Sequence, residues 1–229
     1  MIKLVHLVGA AALTAGFAGS AFAEDHLVDL VVEPAAAGAV GDWYVSLFAG
    51  AASTNDVGTL YGGTDYTVSF DPGYTLGIAV GKYFSENLRG EIELSGGSAQ
   101  ASAGSNDFDP GYDVDGSIST KFLLGNLWYD IDAGTGFTPY VGGGVGVGFA
   151  TADTTFDGNT YGYGEGGSGF AFQLGTGVTF DVADNMKLDI GYRYKSIRGV
   201  DFADSDGEGV YEDGDVNSHT VQVGLTIPF

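Results

Sequence analysis

Seven charged side chains occur at alternate positions in two short stretches. Arg89, Glu91 and Glu93 alternate with Leu88, Gly90, Ile92 and Leu94, and Lys187, Asp189, Arg193 and Lys195 alternate with Leu188, Ile190, Tyr192 and Tyr194. A strand sends successive side chains to opposite faces, so each stretch has one charged face and one apolar face. Four of these charges are positive and three negative. That near balance suits mutual pairing, because an unpaired charge left inside a protein costs several kcal/mol. Ser218 beside His219 supplies a nucleophile and a base by type, but neighbours in a strand point apart, so the two are expected to serve as an interior hydroxyl and an interface residue. The only other histidine after residue 23 is His26. The glycine run Gly162 to Gly167 matches a dinucleotide fingerprint by letters, yet no helical period follows it. With no cysteine in the chain, thiolate chemistry is absent. The expectation is no catalysis and no cofactor.

The elements that must carry these residues show an apolar period of two in eight segments: Trp43 to Ala52, Tyr74 to Phe84, Leu88 to Gly97, Ser117 to Asp130, Thr138 to Ala150, Phe170 to Val182, Lys187 to Ile197 and Val216 to Phe229. Each has about the length a tilted strand needs to cross a bilayer. The connections alternate between short (85–87, 131–137, 183–186) and long (53–72, 97–116, 151–168, 199–216). A soluble sandwich would give the same period. The loop rhythm, and Trp43 and Trp128 at short-turn ends where interfacial aromatics belong, favour an all-β, eight-stranded antiparallel up-and-down transmembrane β-barrel over residues 42–229. Within it, Arg89, Glu91, Glu93, Lys187, Asp189, Arg193 and Lys195 are expected to close the lumen as an ionic network. Gly142, Gly144, Gly146 and Gly148 fall on one strand face, making room for long side chains across the interior.

Residues 1–23 carry Lys3, an apolar run from Leu7 to Phe17 and a closing Ala21-Phe22-Ala23, the pattern of a cleaved secretion signal, with cleavage near Ala23. Residues 24–41 read as a flexible periplasmic leader. Beyond residue 23, seven Lys and Arg face thirty Asp and Glu, a formal charge of −23. Such a chain repels nucleic acid. The four long connections contain 3, 4, 3 and 7 acidic residues and no Lys or Arg. The last, with Asp201, Asp204, Asp206, Glu208, Glu212, Asp213 and Asp215, lacks the ligand spacing of an EF-hand, so divalent cations are expected to bind weakly. The loop tyrosines Tyr61, Tyr66, Tyr112, Tyr161, Tyr163 and Tyr211 are expected to pack loops together.

Asn126-Leu127-Trp128-Tyr129-Asp130 followed by Thr138-Pro139-Tyr140-Val141-Gly142-Gly143-Gly144-Val145-Gly146 resembles the paired fourth and fifth strands of small outer-membrane barrels related to the OmpA transmembrane domain, the porin-family or outer-membrane-antigen proteins. Gly191-Tyr192-Arg193-Tyr194 resembles their seventh strand. The C-terminal run with Gln222, Gly224, Ile227 and Phe229 resembles the signal read by the barrel assembly machinery, from which Pro228 departs. The resemblance covers Asp42 to Phe229 and includes no counterpart of a peptidoglycan-binding domain. It implies an integral protein of the Gram-negative outer membrane, partnered by membrane lipid, lipopolysaccharide and the assembly machinery. The implied role is structural, in envelope integrity and as a surface antigen. A weak porin is the nearest alternative; a surface adhesin and a lipid A-modifying enzyme are more distant.

Overall fold

The computed structural model describes residues 43–229 apart from 110, 112, 135, 157–165, 184 and 204–209, and does not describe the side chains of 154–156, 203, 211 and 213. The expected signal segment and leader, most of the glycine run, Asp204, Asp206, Glu208 and the side chains of Tyr112, Tyr161, Tyr163, Tyr211 and Asp213 lie outside the described residues.

The described residues form ten strands: β1 (Trp43–Thr54), β2 (Val57–Tyr61), β3 (Thr64–Phe70), β4 (Gly73–Tyr83), β5 (Leu88–Asn106), β6 (Val114–Asp130), β7 (Phe137–Phe156), β8 (Ser168–Ala183), β9 (Met186–Ala203) and β10 (Val210–Pro228). Eight of them close a ring in the order β1-β4-β5-β6-β7-β8-β9-β10, with β10 returning to β1. Every pairing is antiparallel. The seam runs from Tyr44 opposite Pro228 to Thr54 opposite Ser218, and the Phe229 amide donates to the Trp43 carbonyl at 2.8 Å. Closure leaves the ring without a free strand edge, which hydrocarbon demands.

The expected first long loop, 53–72, is instead a hairpin spliced into the wall. Strand β2 lies against β10, with Leu60 opposite Glu212, and β3 lies against β5. The Asn55 amide donates to the Asn217 carbonyl and the Asp71 amide to Gln100, each at 2.9 Å, so pairing carries across both breaks. Thus β1 and β2 trace one wall position and β3 and β4 another, and the eight-fold wall rises past the apolar band. Pro72 has no amide to donate, which accounts for one break. Gly62 and Gly63 adopt φ of 59° and 84°, and two successive positive values are what a tight hairpin turn requires. The other strands likewise run further outward than the eight hydropathy segments, their outer parts mixing polar residues with a few interior apolar ones such as Val114, Val200 and Phe202.

The outward face bears Leu47, Leu76, Ile78, Ile92, Leu94, Leu127, Val145, Leu174, Val223 and Leu225, all exposed. Trp43, Phe84, Tyr129 and Phe229 edge this band at the short-turn rim, and Tyr74, Phe149 and Phe170 at the other. His219 faces outward and shares a 2.6 Å hydrogen bond with Tyr192, while Ser218 lines the interior. The pair is split, as strand geometry predicts.

Candidate functional site: the barrel interior

The interior has two tiers. In the half nearer the short turns, Glu91 of β5 accepts hydrogen bonds from the Tyr44 hydroxyl at 2.9 Å, from Trp128 Nε1 at 2.8 Å and from Asn126 Nδ2 at 3.0 Å. Arg89 donates through Nε to both oxygens of Asp130, at 3.0 and 3.1 Å, a charge-assisted pair reaching from β5 to β6. Asp189 accepts from the Tyr140 hydroxyl at 3.0 Å, and that hydroxyl in turn accepts from Arg193 at 2.8 Å. The two guanidinium groups stack on a shared aromatic box: Arg193 lies 4.4 Å from the Trp128 ring and Arg89 4.9 Å from the Tyr140 ring. Trp128 and Tyr140 meet edge to face with centroids 5.6 Å apart. Stacking on π faces stabilises cations that have left water.

Deeper in, Glu93 is the hub. Its Oε1 accepts from Lys195 Nζ at 2.5 Å and from Ser95 at 2.6 Å, and its Oε2 accepts from Gln173 at 2.7 Å and Asn126 at 3.0 Å. Lys195 also donates to Ser95 Oγ at 2.8 Å. Both charged groups are almost wholly buried, Glu93 at 2% exposure and Lys195 at 3%.

Six of the seven expected charges therefore do meet inside. Lys187 does not join them; it sits at the short-turn mouth on Asp181, 2.5 Å away, where water screens the pair. Trp128 is the clearest correction. It is 1% exposed and points into the lumen, so it anchors the network and is not an interfacial aromatic; Trp43, half exposed beneath Lys82, is one. The residue spacing also left out Asp130, Asn126, Gln173, Tyr44 and Tyr140. Of the C-terminal residues, Gln222 and Gly224 face the interior, whereas Ile227 and Phe229 face outward.

The outer half of the interior holds an apolar cluster, flanked on one side by the hydroxyls of Thr75, Thr120, Ser218 and Thr220. Ile118, Phe122, Leu124, Ala150, Ala171 and Ile197 pack beneath Val57, Val68, Val200, Phe202 and Val216, all buried. Lys195 marks the boundary, its ammonium 5.1 Å from the Phe122 ring. Tyr61 and Tyr66 pack against this layer with their rings edge to face, as expected of loop tyrosines. Two interior spaces, of about 30 and 20 Å³, are of the size of single waters, and a larger one of about 100 Å³ lies at the short-turn mouth between Arg89, Asp130, Lys187 and Thr226. Gln222 Oε1, buried without a hydrogen-bond partner among the described residues, lines the first of these spaces and is polar enough to hold such a water.

Glycine makes the packing possible. A Cβ at Gly148 would stand 2.5 Å from Ile197, and one at Gly144 would come 2.9 Å from Asn126 Cγ and 2.5 Å from the Gly125 carbonyl oxygen. Gly144→Val is therefore expected to destabilise the barrel by about 1–3 kcal/mol by pushing Asn126 off Glu93. Urea unfolding of the refolded protein in lipid vesicles checks this; unchanged stability would mean that Asn126 swings clear.

The outer-membrane protein β-barrel domain model matches residues 9–229. The chain belongs to that family. An uncharacterized protein of Brucella abortus is 27% identical over 214 residues, covering 74% of this chain and 75% of the relative. The outer membrane protein PagN of Salmonella typhimurium is 28% identical over 156 residues, 62% of each chain. Among solved structures, the Neisserial surface protein A superimposes with a TM-score of 0.53 at 19% identity, covering 82% of this chain and 97% of its own. OprG of Pseudomonas aeruginosa gives 0.55 at 17%, covering 83% and 96%. These likenesses establish the fold, and family membership places the chain in the Gram-negative outer membrane.

Proposed function

We propose that the protein is a closed structural barrel of the outer membrane that contributes to envelope integrity and presents an acidic surface. The observation that carries this reading is the interior filled in two tiers, polar below and mainly apolar above, with spaces of about 30 and 20 Å³ inside the packing and one of about 100 Å³ at the short-turn mouth. A ring of eight strands is narrow enough for side chains to fill. Among the described residues the one histidine, His219, faces the lipid and is separated from Ser218, so the hydroxyl-imidazole pair that acyl hydrolysis would use is not assembled there. Outward, the long connections carry carboxylates with no Lys or Arg, the composition of a hydrated surface, with membrane lipid and lipopolysaccharide as its surroundings.

In planar bilayers the purified protein is expected to give no steady ionic current at either polarity. Reproducible conductance of the unmodified protein would make it a porin and end the structural reading.

A further inference from the structure

The chain beyond residue 23 has seven cations, and the structure accounts for six of them. Arg89, Arg193 and Lys195 are in the lumen, Lys187 is on Asp181, Arg198 is on Asp215 and Lys82 covers Trp43. Lys121 is different. It is exposed on the outward face of β6 and forms no ion pair among the described residues. It lies opposite Gly96 on one side and Phe149 on the other, at the outer edge of the apolar band. A lysine facing hydrocarbon is destabilising, less so near the interface, and an anion at that height offsets the cost.

Four residues along β6 from Lys121, about 13 Å at strand rise, the same face opens into a shallow, open apolar groove. Gly125 and Gly143 form its floor, and Leu127, Val145, Phe172 and Leu174 are among its walls. On the other side of Lys121 the wall turns from apolar to hydroxylated. Ser98, Ser119 and Thr151 stand side by side in register across β5, β6 and β7, with the two serine hydroxyls 3.5 Å apart. Apolar slot, cation and hydroxyl row follow one another up the wall in the order acyl chain, phosphate, sugar.

We propose that this face of β6–β8 is a binding site for a phosphorylated, acylated glycolipid of the outer leaflet, with an acyl chain in the groove over Gly125 and Gly143 and a phosphate on Lys121. The charge favours an anion, and the height of Lys121 restricts the source to the outer leaflet. The hydroxyl row favours a sugar headgroup over a glycerol phosphate. The site is on the outside of the wall and does not depend on whether the lumen conducts.

The test uses protein extracted from outer membranes, delipidated, and reconstituted in phosphatidylcholine vesicles doped with diphosphoryl lipid A, fully dephosphorylated lipid A or phosphatidylglycerol. Lipid retained per protein after mild detergent extraction is measured for the parent, Lys121→Glu and Gly125→Leu. Gly125 is open to substitution, since a Cβ there meets nothing nearer than the Val145 carbonyl oxygen at 3.9 Å. Folding is verified by electrophoretic mobility before and after heating. Retention of diphosphoryl lipid A is expected to fall about tenfold in Lys121→Glu, the size of one lost charge-assisted bond, and severalfold in Gly125→Leu. The dephosphorylated form and phosphatidylglycerol are expected to be held no better than phosphatidylcholine. Unchanged retention in either folded variant, or equal retention of phosphatidylglycerol, would overturn the proposal.

Discussion

Lys195→Met is expected to destabilise the refolded barrel by about 3–5 kcal/mol, and Glu93→Gln by a comparable amount. Each change removes half of a buried pair whose other half then has no route to water. Glu93 would keep Ser95, Gln173 and Asn126 as donors but lose the cation paired with it; Lys195 would keep Ser95 and the Phe122 ring. Combined, the substitutions leave a neutral amide within the same donors and a thioether beside Phe122. The double variant should recover most of the loss, because replacing both partners of a buried ion pair is often close to neutral. Urea titration in vesicles, followed by tryptophan fluorescence from Trp43 and Trp128, measures all three. Single losses below about 1 kcal/mol, the range of solvent-screened pairs, would mean that water reaches the hub.

The second large effect concerns conduction. Closure by ion pairs alone, which the charge spacing suggested, would make Arg89→Ala together with Arg193→Ala sufficient to open the barrel. The apolar tier above them changes that expectation. Removing both guanidinium groups widens only the half nearer the short turns, and Phe122, Leu124, Ile118 and Ile197 still fill the path. An apolar constriction blocks ions by excluding water even where it does not seal completely. The Arg89→Ala, Arg193→Ala barrel is thus expected to stay silent in planar bilayers. Discrete current steps are expected only after Phe122→Ala and Ile197→Ala are added, with heat-modified mobility confirming that the four-site variant folds. Current from the two arginine substitutions alone would place the whole barrier in the polar tier.

The contrast between the tiers also explains what was legible in the sequence. Strands with charges on one face and aliphatics on the other, such as β9, declare their orientation, and both the eight-fold ring and most of the polar network follow from them. Strand β6 does not. Its interior positions Ile118, Phe122 and Leu124 alternate with Leu123 and Leu127, which face lipid, so both faces are apolar and periodicity cannot choose between them. The apolar plug was hidden there. Trp128 misleads for a related reason: it is next to Tyr129 at a strand end, and either aromatic would suit the interface, but its parity with Asn126 and Asp130 puts it inside. Tyr44 beside Trp43 repeats the ambiguity in the same way. The β2–β3 hairpin escaped because its residues carry mixed polarity above the membrane, where no lipid imposes a pattern.

The seam between β1 and β10 joins the two ends of the described chain, residues 44–54 to 218–228. During export β1 emerges first and its final partner last, so one of its edges waits unpaired while the rest of the chain is delivered. Its lipid side offers little for a stray molecule to hold in that interval: beyond Leu47 it narrows to Ala49, Ala51 and Ser53. Small side chains at the first strand thus reduce the risk of aggregation during the longest wait in the assembly of this barrel.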